Sequence, residues 1–275
     1  MQSRLTPSKV AENHDLRSQF MRHLIATLSD VPRSGSDSAP PRLLVQFWDD
    51  ETAIPEDVQA CLDSWAPLEL AGFERVLFDD VSAKLFIGAH FDERHLHAFE
   101  HCHHPAMRAD YFRLCFVLRQ GGLYVDADDE YQGGDVEPLV GDSRLKLQAL
   151  CYDAATDSMV DVAQSLEHVA KAERIFYVNN NPLVAAPGHP IVAAALERST
   201  GQLLTADAAS RDVQSLTGPG NLTASLVAHA VQLLEDGAAW DFDVVTNWDA
   251  VAISKWPLAY RADARNWRNW VRDDD

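Results

Sequence analysis

The sequence has few cysteines and no long hydrophobic run. Its four cysteines (Cys61, Cys102, Cys115 and Cys151) are widely scattered along 275 residues, so they match neither a zinc-binding spacing nor a dense disulfide framework. No stretch approaches the roughly 20 apolar residues needed to cross a membrane. The first 30 residues carry charges throughout and lack the basic and apolar regions of a signal peptide. We therefore expect reduced thiols, no transmembrane segment and a cytoplasmic location.

Positive charge is also scarce. Lysine and arginine total 23 against 42 aspartates and glutamates, which gives a formal net charge of −19 at pH 7. This balance argues against binding of nucleic acid or an anionic membrane through a broad basic face. No glycine-rich phosphate loop of a standard type is present, so an anionic ligand would need another source of positive charge. A divalent cation held by the acidic cluster at 126–130 is the simplest such source.

The chain contains enough apolar sequence for a sizeable core. Hydrophobic residues make up 47% of it, although aromatic residues make up only 9%. A chain of this length can form one large α/β domain. Apolar residues at helical spacing between residues 8 and 30 predict one amphipathic N-terminal helix, and Ser34–Pro41 reads as a linker. We therefore predict a helix and linker at 1–40 and a single domain at 41–275.

Strand and helix patterns alternate through that domain. Short apolar runs predict strands at Leu43–Trp48, Glu74–Phe78, Leu123–Val125, Leu145–Tyr152, Ile175–Val178 and Trp240–Thr246. Helical patterns occur at Pro55–Trp65, Ser82–Ile87, Pro190–Arg198 and Leu222–Leu234. The alternation indicates an α/β fold with a mixed, mainly parallel central sheet flanked by helices. In such sheets ligands bind beyond the carboxyl ends of strands, where Trp48 and Asp126 are predicted to lie.

The clearest unit is a helix followed by a strand and two aspartates. Pro105 is suited to open the helix, apolar side chains share one of its faces, and Gly121-Gly122 ends it. A short strand then runs directly into Asp126-Ala127-Asp128. The unit therefore predicts a place where carboxylates emerge at the edge of the sheet.

Asp126 and Asp128 are the strongest candidates for a metal site. Alternate residues of an extended chain point the same way, so both carboxylates could face one ion. Mg²⁺ is usually bound by one or two carboxylates, with water and substrate phosphates in the remaining positions. An ordinary acidic surface loop is the alternative, since such pairs are common. A calcium-binding hand is rejected, because Tyr131 stands where that loop needs glycine.

Asp110 and Arg113 lie on the preceding helix. Because they are three residues apart, they share one helix face. One interpretation is a simple ion pair between neighbouring turns, worth a few tenths of a kcal/mol. The other is a pair of ligand contacts, in which Asp110 accepts hydrogen bonds from hydroxyl groups and Arg113 donates to oxygen atoms.

These residues together resemble a known family. Pro105–Arg113 followed by Gly121–Asp128 resembles the DXD-motif sugar transferases of glycosyltransferase family 32, the group of the initiating α-1,6-mannosyltransferase-like enzymes. The same pattern occurs in the large glucosylating toxins. The resemblance covers about residues 41–225, and its central motif is the most specific part. Its other parts, in the family's order, are Leu44–Trp48, Asn179-Asn180 with Ala186–Pro190, and Thr217–Pro219.

The resemblance implies a GT-A-like fold, a nucleotide-sugar donor, a bound Mn²⁺ or Mg²⁺ ion and transfer with retention of anomeric configuration. By position, Asp126 and Asp128 would flank the ion, and Asp110 and Arg113 would hold the donor sugar. These four are the expected catalytic residues. Trp48 would stack near the nucleotide base, with an ordinary buried aromatic as the alternative. The residues expected to contact the donor are Gln46, Phe47, Trp48, Asp110, Arg113, Tyr124, Asp126, Ala127 and Asn180.

The resemblance fails in the C-terminal segment. Family members often supply a further metal or phosphate contact there, commonly from a segment that contains histidine, whereas this chain has Arg265-Asn266. Asn266 could still provide an amide oxygen, and Arg261 or Arg265 could reach a diphosphate. Asn266 is therefore the third expected metal ligand.

The expected activity is metal-dependent transfer of a hexose from a UDP- or GDP-sugar to an acceptor hydroxyl on a glycan, a small molecule or a protein. In the retaining geometry a leaving phosphate oxygen can take the acceptor's proton, so no dedicated protein base is expected. Two other functions remain open. One is a sugar-nucleotide hydrolase, and the other is a non-catalytic binder of nucleotide-sugars or carbohydrates.

Overall fold

The fold is described by a computed structural model for residues 6–28, 32–34, 38–167, 173–205, 212–263, 265–266 and 268–269. Its helices are α1 (Pro7–Glu12), α2 (His14–Thr27), α3 (Glu56–Ser64), α4 (Pro67–Leu70), α5 (Asp80–His90), α6 (Glu93–Glu100), α7 (Pro105–Gln120), α8 (Glu137–Val140), α9 (Val162–Glu167), α10 (Pro190–Leu203), α11 (Val213–Leu216) and α12 (Pro219–Asp236). Short 3₁₀ helices lie at Glu51–Ala53, Trp248–Ala250 and Ala259–Ala262. No helix in this part of the chain is both long and apolar enough to cross a bilayer.

The strands alternate with these helices. They are β1 (Leu43–Phe47), β2 (Glu74–Phe78), β3 (Gly122–Tyr124), β4 (Asp129–Tyr131), β5 (Leu145–Asp153), β6 (Ser158–Val160), β7 (Arg174–Ala185), β8 (Phe242–Val245) and β9 (Ala252–Ser254). The predicted strand at Glu74–Phe78 matches β2 residue for residue, and most of the other predicted strands differ from the observed ones by one or two residues at an end. β7 is the exception, because it continues well past the predicted Val178.

Seven strands of the described residues form one sheet, in the order β2-β1-β3-β7-β5-β6, with β8 also paired to β5. β1 runs parallel to β2 and β3, and β8 runs parallel to β5. β7 is antiparallel to both of its neighbours, and β6 is antiparallel to β5. β1, β2, β3, β5 and β8 therefore all point one way. The predicted α/β fold with a mixed, mainly parallel sheet flanked by helices is confirmed.

Alternate residues of the strands point into two different cores. Val45 and Tyr124 join the larger core, where α2, α7 and α12 pack against the sheet. Leu44 and Leu123 join a smaller core around Trp65 on the other face. Because β1 and β3 are covered on both faces, their sequences read as continuous apolar runs. All four cysteines are buried and carry free thiols.

The N-terminal segment forms two helices, so the prediction of one continuous helix at 8–30 is wrong. Asn13 interrupts it with extended backbone angles (φ −87°, ψ 118°), and its side chain accepts a hydrogen bond from Leu16 N at 3.0 Å. This is the geometry of a helix N-cap, which starts α2 afresh. Met21 and Leu24 of α2 are buried in the larger core. The predicted linker includes residues 35–37, which lie outside the described residues, and the division at residue 40 stays a prediction.

Helix α7 and the turn after it position the candidate site. The helix begins at Pro105 and its C-cap is Gly121, so both predicted ends are confirmed. Gly121 has φ +72°, and a Cβ there would lie 2.7 Å from Pro187 Cδ. Only glycine fits this close approach with a positive φ. The chain can therefore reverse sharply from α7 into β3, which leads to the two aspartates.

Candidate active site

A cavity of about 780 Å³ opens at the carboxyl ends of β1 and β3. Trp48 follows β1 directly, and Asp126 lies just beyond β3. Both side chains line the cavity. The volume falls within the range of small-molecule sites, about 300–1,000 Å³. The structure therefore provides a ligand-sized space at the edge of the sheet where ligands of α/β proteins bind.

Most of the residues singled out from the sequence line this cavity. They are Phe47, Trp48, Asp110, Arg113, Asp126, Ala127, Asp128, Asn180 and Asn266. Gln46 and Tyr124 do not line it and lie behind its wall. Gln46 Nε2 donates to the Asp126 carbonyl at 3.5 Å, and the Arg113 guanidinium lies 4.4 Å from the centre of the Tyr124 ring. Gln46 and Tyr124 therefore contact lining residues from behind and do not themselves face the cavity.

Arg113 connects three parts of the site. Its guanidinium donates to Asp126 Oδ1 at 2.8 Å and to the Asn180 carbonyl at 2.9 Å, and it lies 2.9 Å from Asp110 Oδ1. The Arg113 side chain is only 3% exposed. Burial lowers its pKa, but the charges of Asp126, Tyr124 and Asp110 outweigh burial and raise it. The expected ion pair between Asp110 and Arg113 is present, but the cation is buried and is also shared with Asp126 and Asn180.

Asp110 is the point where distant motifs meet. Its Oδ1 accepts a hydrogen bond from Asn180 Nδ2 at 2.7 Å, and its Oδ2 accepts one from Thr217 Oγ1 at 3.3 Å. Gly218 also lies close to this carboxylate, since a Cβ added to Gly218 would be 3.2 Å from Asp110 Oδ2. Burial raises the pKa of Asp110, and Arg113 opposes that rise. The helix motif, the middle asparagine motif and the later threonine motif are thus joined at one carboxylate.

Asp126 and Asp128 lie on a turn, so the expectation of an extended chain between them is wrong. Asp129 N donates to the Asp126 carbonyl at 3.1 Å, which closes the turn before β4. Asn181 holds the turn from behind, because its Oδ1 accepts from Asp126 N at 3.1 Å and its Nδ2 donates to Asp129 Oδ2 at 2.8 Å. Asp126 and Asp128 nevertheless both line the cavity.

Negative charge is concentrated around this turn. Burial raises the pKa of Asp126, the nearby Asp128 adds to the rise, and Arg113 opposes it. Asp129 is fully buried, and burial together with the charges of Asp128 and Asp126 raises its pKa as well. Burial is the largest cause of both shifts, and repulsion between the neighbouring carboxylates adds to it. An additional cation would relieve that repulsion.

The C-terminal segment covers Asp128. The Tyr260 hydroxyl donates to Asp128 Oδ2 at 2.5 Å, and the Arg261 guanidinium pairs with the same oxygen. Burial and the charge of Asp128 raise the pKa of Tyr260, so its hydroxyl keeps its proton and acts as a donor. Arg261 also stacks on Trp256, with 4.3 Å from the guanidinium to the ring centre. No sequence motif marks Tyr260, which is 132 residues from Asp128 along the chain.

Trp48 is covered by the same C-terminal segment, and Asn266 belongs to that segment. The Trp48 side chain is buried, Tyr260 meets its ring edge-on at 5.2 Å, and the Arg265 guanidinium lies 5.7 Å from the ring centre. Asn266 Nδ2 donates to the Arg261 carbonyl at 2.9 Å, and its Oδ1 accepts from Arg268 N at 3.2 Å. The amide oxygen of Asn266 is thus used within its own segment, and it would have to leave that bond to reach an ion.

The side chains fit a divalent cation that is completed by a ligand. Asp126 and Asp128 bring two carboxylates to the cavity. Across the described ranges, no group of three or more His, Cys, Asp or Glu side chains is arranged to hold a metal. Mg²⁺ is commonly held by one or two carboxylates, with water and substrate phosphates completing its shell. The donor set therefore suits an ion that binds together with a phosphate.

The opposite wall carries no motif that the sequence could reveal. It comes from the β5–β6 region, the central part of β7 and the short helices α9 and α11. Its side chains are mostly small, apolar or uncharged, apart from Asp161 at the start of α9. They include Gln148, Ala149, Leu150, Met159, Val160, Asp161, Val162, Ala163, Tyr177, Val213 and Gln214. This part of the lining is therefore less charged than the part around Asp126 and Asp128.

Comparisons with known proteins identify no family. No family model matches the chain, and no curated protein matches it. Among solved structures, a chain described as "PaToxG Glycosyltransferase" aligns with 15% sequence identity and a TM-score of 0.49. That alignment covers 95% of this chain and 94% of the other.

Proposed function

We propose that this chain is a metal-dependent glycosyltransferase that uses a nucleotide-sugar donor. The observation that supports this most strongly is the buried network centred on Arg113, which joins Asp110, Asp126 and Asn180 at one cavity. These residues come from three separate stretches of the sequence that carry the family 32 resemblance. An ordinary acidic surface loop does not explain why the three stretches meet in one buried network.

Each side chain of the network has a role in this proposal. Asp110 accepts hydrogen bonds from hydroxyls of the donor sugar, and Arg113 fixes the direction of Asp110 and Asp126 while donating toward the donor. Asn180 donates a 2.7 Å hydrogen bond to Oδ1 of Asp110, the same oxygen that Arg113 contacts. Trp48 provides an aromatic surface for the nucleotide base at the end of β1. Asp126 and Asp128 hold a Mn²⁺ or Mg²⁺ ion, with Asn266 as an additional ligand.

The chemistry follows from the donor's leaving group. When bound, the divalent ion neutralises charge on the departing nucleoside diphosphate. The acceptor hydroxyl attacks from the face that the diphosphate leaves, so the anomeric configuration is retained. A diphosphate oxygen takes the hydroxyl proton, and no side chain of the cavity serves as a dedicated base. The transferred group in this proposal is a hexose, and the donor base is uracil or guanine.

A thermal-shift panel tests the donor assignment. UDP- and GDP-sugars are added with and without Mn²⁺, and the melting temperature of the protein is recorded. A ligand that binds only the folded state raises the melting temperature, and the rise grows with the ratio of ligand concentration to Kd. We expect one nucleotide class to stabilise the protein only when Mn²⁺ is present. Equal stabilisation by the same nucleotide-sugar in EDTA would contradict the metal-dependent assignment.

Release of nucleotide separates the transferase from its two rivals. The identified donor is incubated with Mn²⁺ and a panel of acceptors, and free nucleoside diphosphate is measured. A transferase releases more nucleotide when a suitable acceptor is added. A rate that no acceptor changes would favour a sugar-nucleotide hydrolase, and binding without release would favour a non-catalytic binder.

A further inference from the structure

Arg261 forms an ion pair with Asp128, one of the two carboxylates proposed to bind the metal. Its Nη2 pairs with Asp128 Oδ2, the oxygen that also accepts the Tyr260 hydroxyl. Asp128 and Arg261 are both largely covered, with side chains 13% and 16% exposed. The guanidinium is further held by the Lys255 carbonyl, which accepts from Nε at 3.0 Å, and by the Trp256 ring at 4.3 Å.

A divalent ion and this guanidinium compete for the same charge. Tyr260 and Arg261 both bind Oδ2 of Asp128, so an ion that binds this oxygen must displace one of them. An ion placed beside Asp128 would also lie next to the fixed positive charge of Arg261 and close to Arg113, which occupies Asp126. Like charges at such short range in a covered site repel strongly. The ion alone therefore enters only at the expense of the Arg261–Asp128 contact.

Of the two arginines, Arg261 is the one that an ion can displace from its carboxylate. Arg113 is 3% exposed and has partners on α7, on β7 and on the turn after β3, so its removal from Asp126 would break several buried bonds. Arg261 lies in a short 3₁₀ helix, and apart from Asp128 its side chain contacts only residues 254–256 and Tyr260 among the described residues. The Arg261 side chain can therefore leave Asp128 without breaking a bond to the seven-stranded sheet.

A diphosphate offers Arg261 a new partner. Arg261, Arg265 and Arg268 all line the cavity on the same C-terminal segment. Guanidinium groups bind phosphate oxygens with two parallel hydrogen bonds, so a phosphate that approaches the proposed ion also approaches these arginines. A phosphate oxygen thus replaces Asp128 as the negatively charged partner of Arg261.

We propose that Arg261, Asp128 and Tyr260 form a latch that keeps the divalent ion out until a nucleoside diphosphate is present. This inference rests on the proposed function. Ion and diphosphate open the latch together, because the ion takes Asp128 while the diphosphate takes Arg261. Without nucleotide, the protein therefore binds the ion weakly. The ion and the nucleotide each increase the affinity of the protein for the other.

Manganese titration without nucleotide tests the latch. Free Mn²⁺ is measured by its electron paramagnetic resonance signal as it is titrated into wild type, Arg261→Gln, Arg261→Lys and Arg42→Gln. Arg261→Gln removes the competing charge, so we expect it to bind Mn²⁺ alone roughly tenfold more tightly than wild type. Arg261→Lys keeps the charge and should stay close to wild type. Arg42→Gln is the matched control, because Arg42 pairs with Glu137 and does not line the cavity.

The same titration is repeated with saturating UDP or GDP. Wild type should gain far more Mn²⁺ affinity from the nucleotide than Arg261→Gln does, because only wild type has a latch to open. Unchanged Mn²⁺ affinity in Arg261→Gln, with nucleotide-dependent Mn²⁺ binding intact in wild type, would overturn the latch and leave the proposed function standing. Absence of Mn²⁺ binding in every variant, with or without nucleotide, would overturn both. Circular dichroism of each variant in EDTA confirms that the comparison is made between folded proteins.

Discussion

Replacement of Arg113 is the strongest test of the buried network. In Arg113→Gln, the carboxylates of Asp110 and Asp126 lose the guanidinium that lies 2.9 Å and 2.8 Å from them. Their side chains are 11% and 32% exposed, so water replaces the lost partner only in part. Removal of one partner from a buried ion pair typically costs about 3–5 kcal/mol. We expect a loss in the free energy of unfolding within that range.

Arg108→Gln is the matched control for this change. Arg108 lies on the same helix and pairs with Asp80 at 2.6 Å, but these side chains are 21% and 36% exposed. A partly exposed ion pair of this kind contributes about 1 kcal/mol or less. Equilibrium urea unfolding, followed by far-UV circular dichroism, measures both variants against wild type. The two substitutions should therefore differ by a few kcal/mol, although they remove the same charge from α7.

The pH dependence separates electrostatics from packing. Without Arg113, the pKa values of Asp110 and Asp126 rise further, because burial is no longer opposed by the guanidinium. At pH 4.5 these carboxylates take up protons in the variant, so its deficit in unfolding free energy should be smaller than at pH 7.5. A deficit of equal size at both pH values, no larger than that of Arg108→Gln, would refute the reasoning.

Substitutions at three further positions probe the surroundings of the cavity. Folded Asp129 has a pKa raised to about 8 from its ordinary 3.8 by burial and by Asp128, so the folded state keeps a proton that the unfolded state loses above about pH 4. Wild type should therefore lose stability relative to Asp129→Asn as the pH rises from 4 to 8, as measured by urea unfolding. Trp48→Leu should raise the KM for the donor roughly tenfold with little change in kcat, because base stacking on an aromatic ring contributes about 1–3 kcal/mol. A merely structural Trp48 would lower the melting temperature and leave KM unchanged. Asn181→Ala should lower kcat more than it raises KM, because it frees the turn that carries Asp126, and Asn181→Asp should not rescue it beside Asp129.

The fold was largely predictable where local sequence signals act alone. The start of α7 at Pro105 and its end at Gly121 follow from proline and glycine geometry, and β2 follows from a short apolar run. The split at Asn13 was missed, because the apolar spacing continues across it and gives no sign of the new N-cap. The length of β7 was missed as well, because Asn179, Asn180 and Asn181 interrupt its apolar pattern.

The candidate site was predictable only in part, for a physical reason. Asp110, Arg113, Asp126 and Asp128 stand close together in the sequence, so their spacing on a helix and after a strand indicates a shared site. Their partners come from far along the chain. Arg261 is 133 residues from Asp128, and nothing in its local sequence distinguishes it from other arginines of the C-terminal segment. Contacts of this kind depend on tertiary packing, which local patterns do not record.

The turn after β3 was predicted in position but not in shape. An extended chain would have placed Asp126 and Asp128 on one side of a strand, whereas the Asp129 N–Asp126 O hydrogen bond folds the segment into a turn. Asn181 fixes that turn from a strand 55 residues away. The two carboxylates thus line the cavity because of a tertiary contact, and strand alternation does not explain their placement.

Nucleotide release by aspartate variants tests the central claim most directly. The donor found by thermal shift is incubated with Mn²⁺ and wild type, Asp126→Asn, Asp128→Asn or Asp135→Asn, and free nucleoside diphosphate is measured. Asp135 is an exposed aspartate a few residues beyond the turn, which makes it the matched control. We predict that Asp135→Asn keeps the manganese-dependent rate, whereas Asp126→Asn and Asp128→Asn fall to the rate without metal. Release by Asp128→Asn at the wild-type rate would contradict the account.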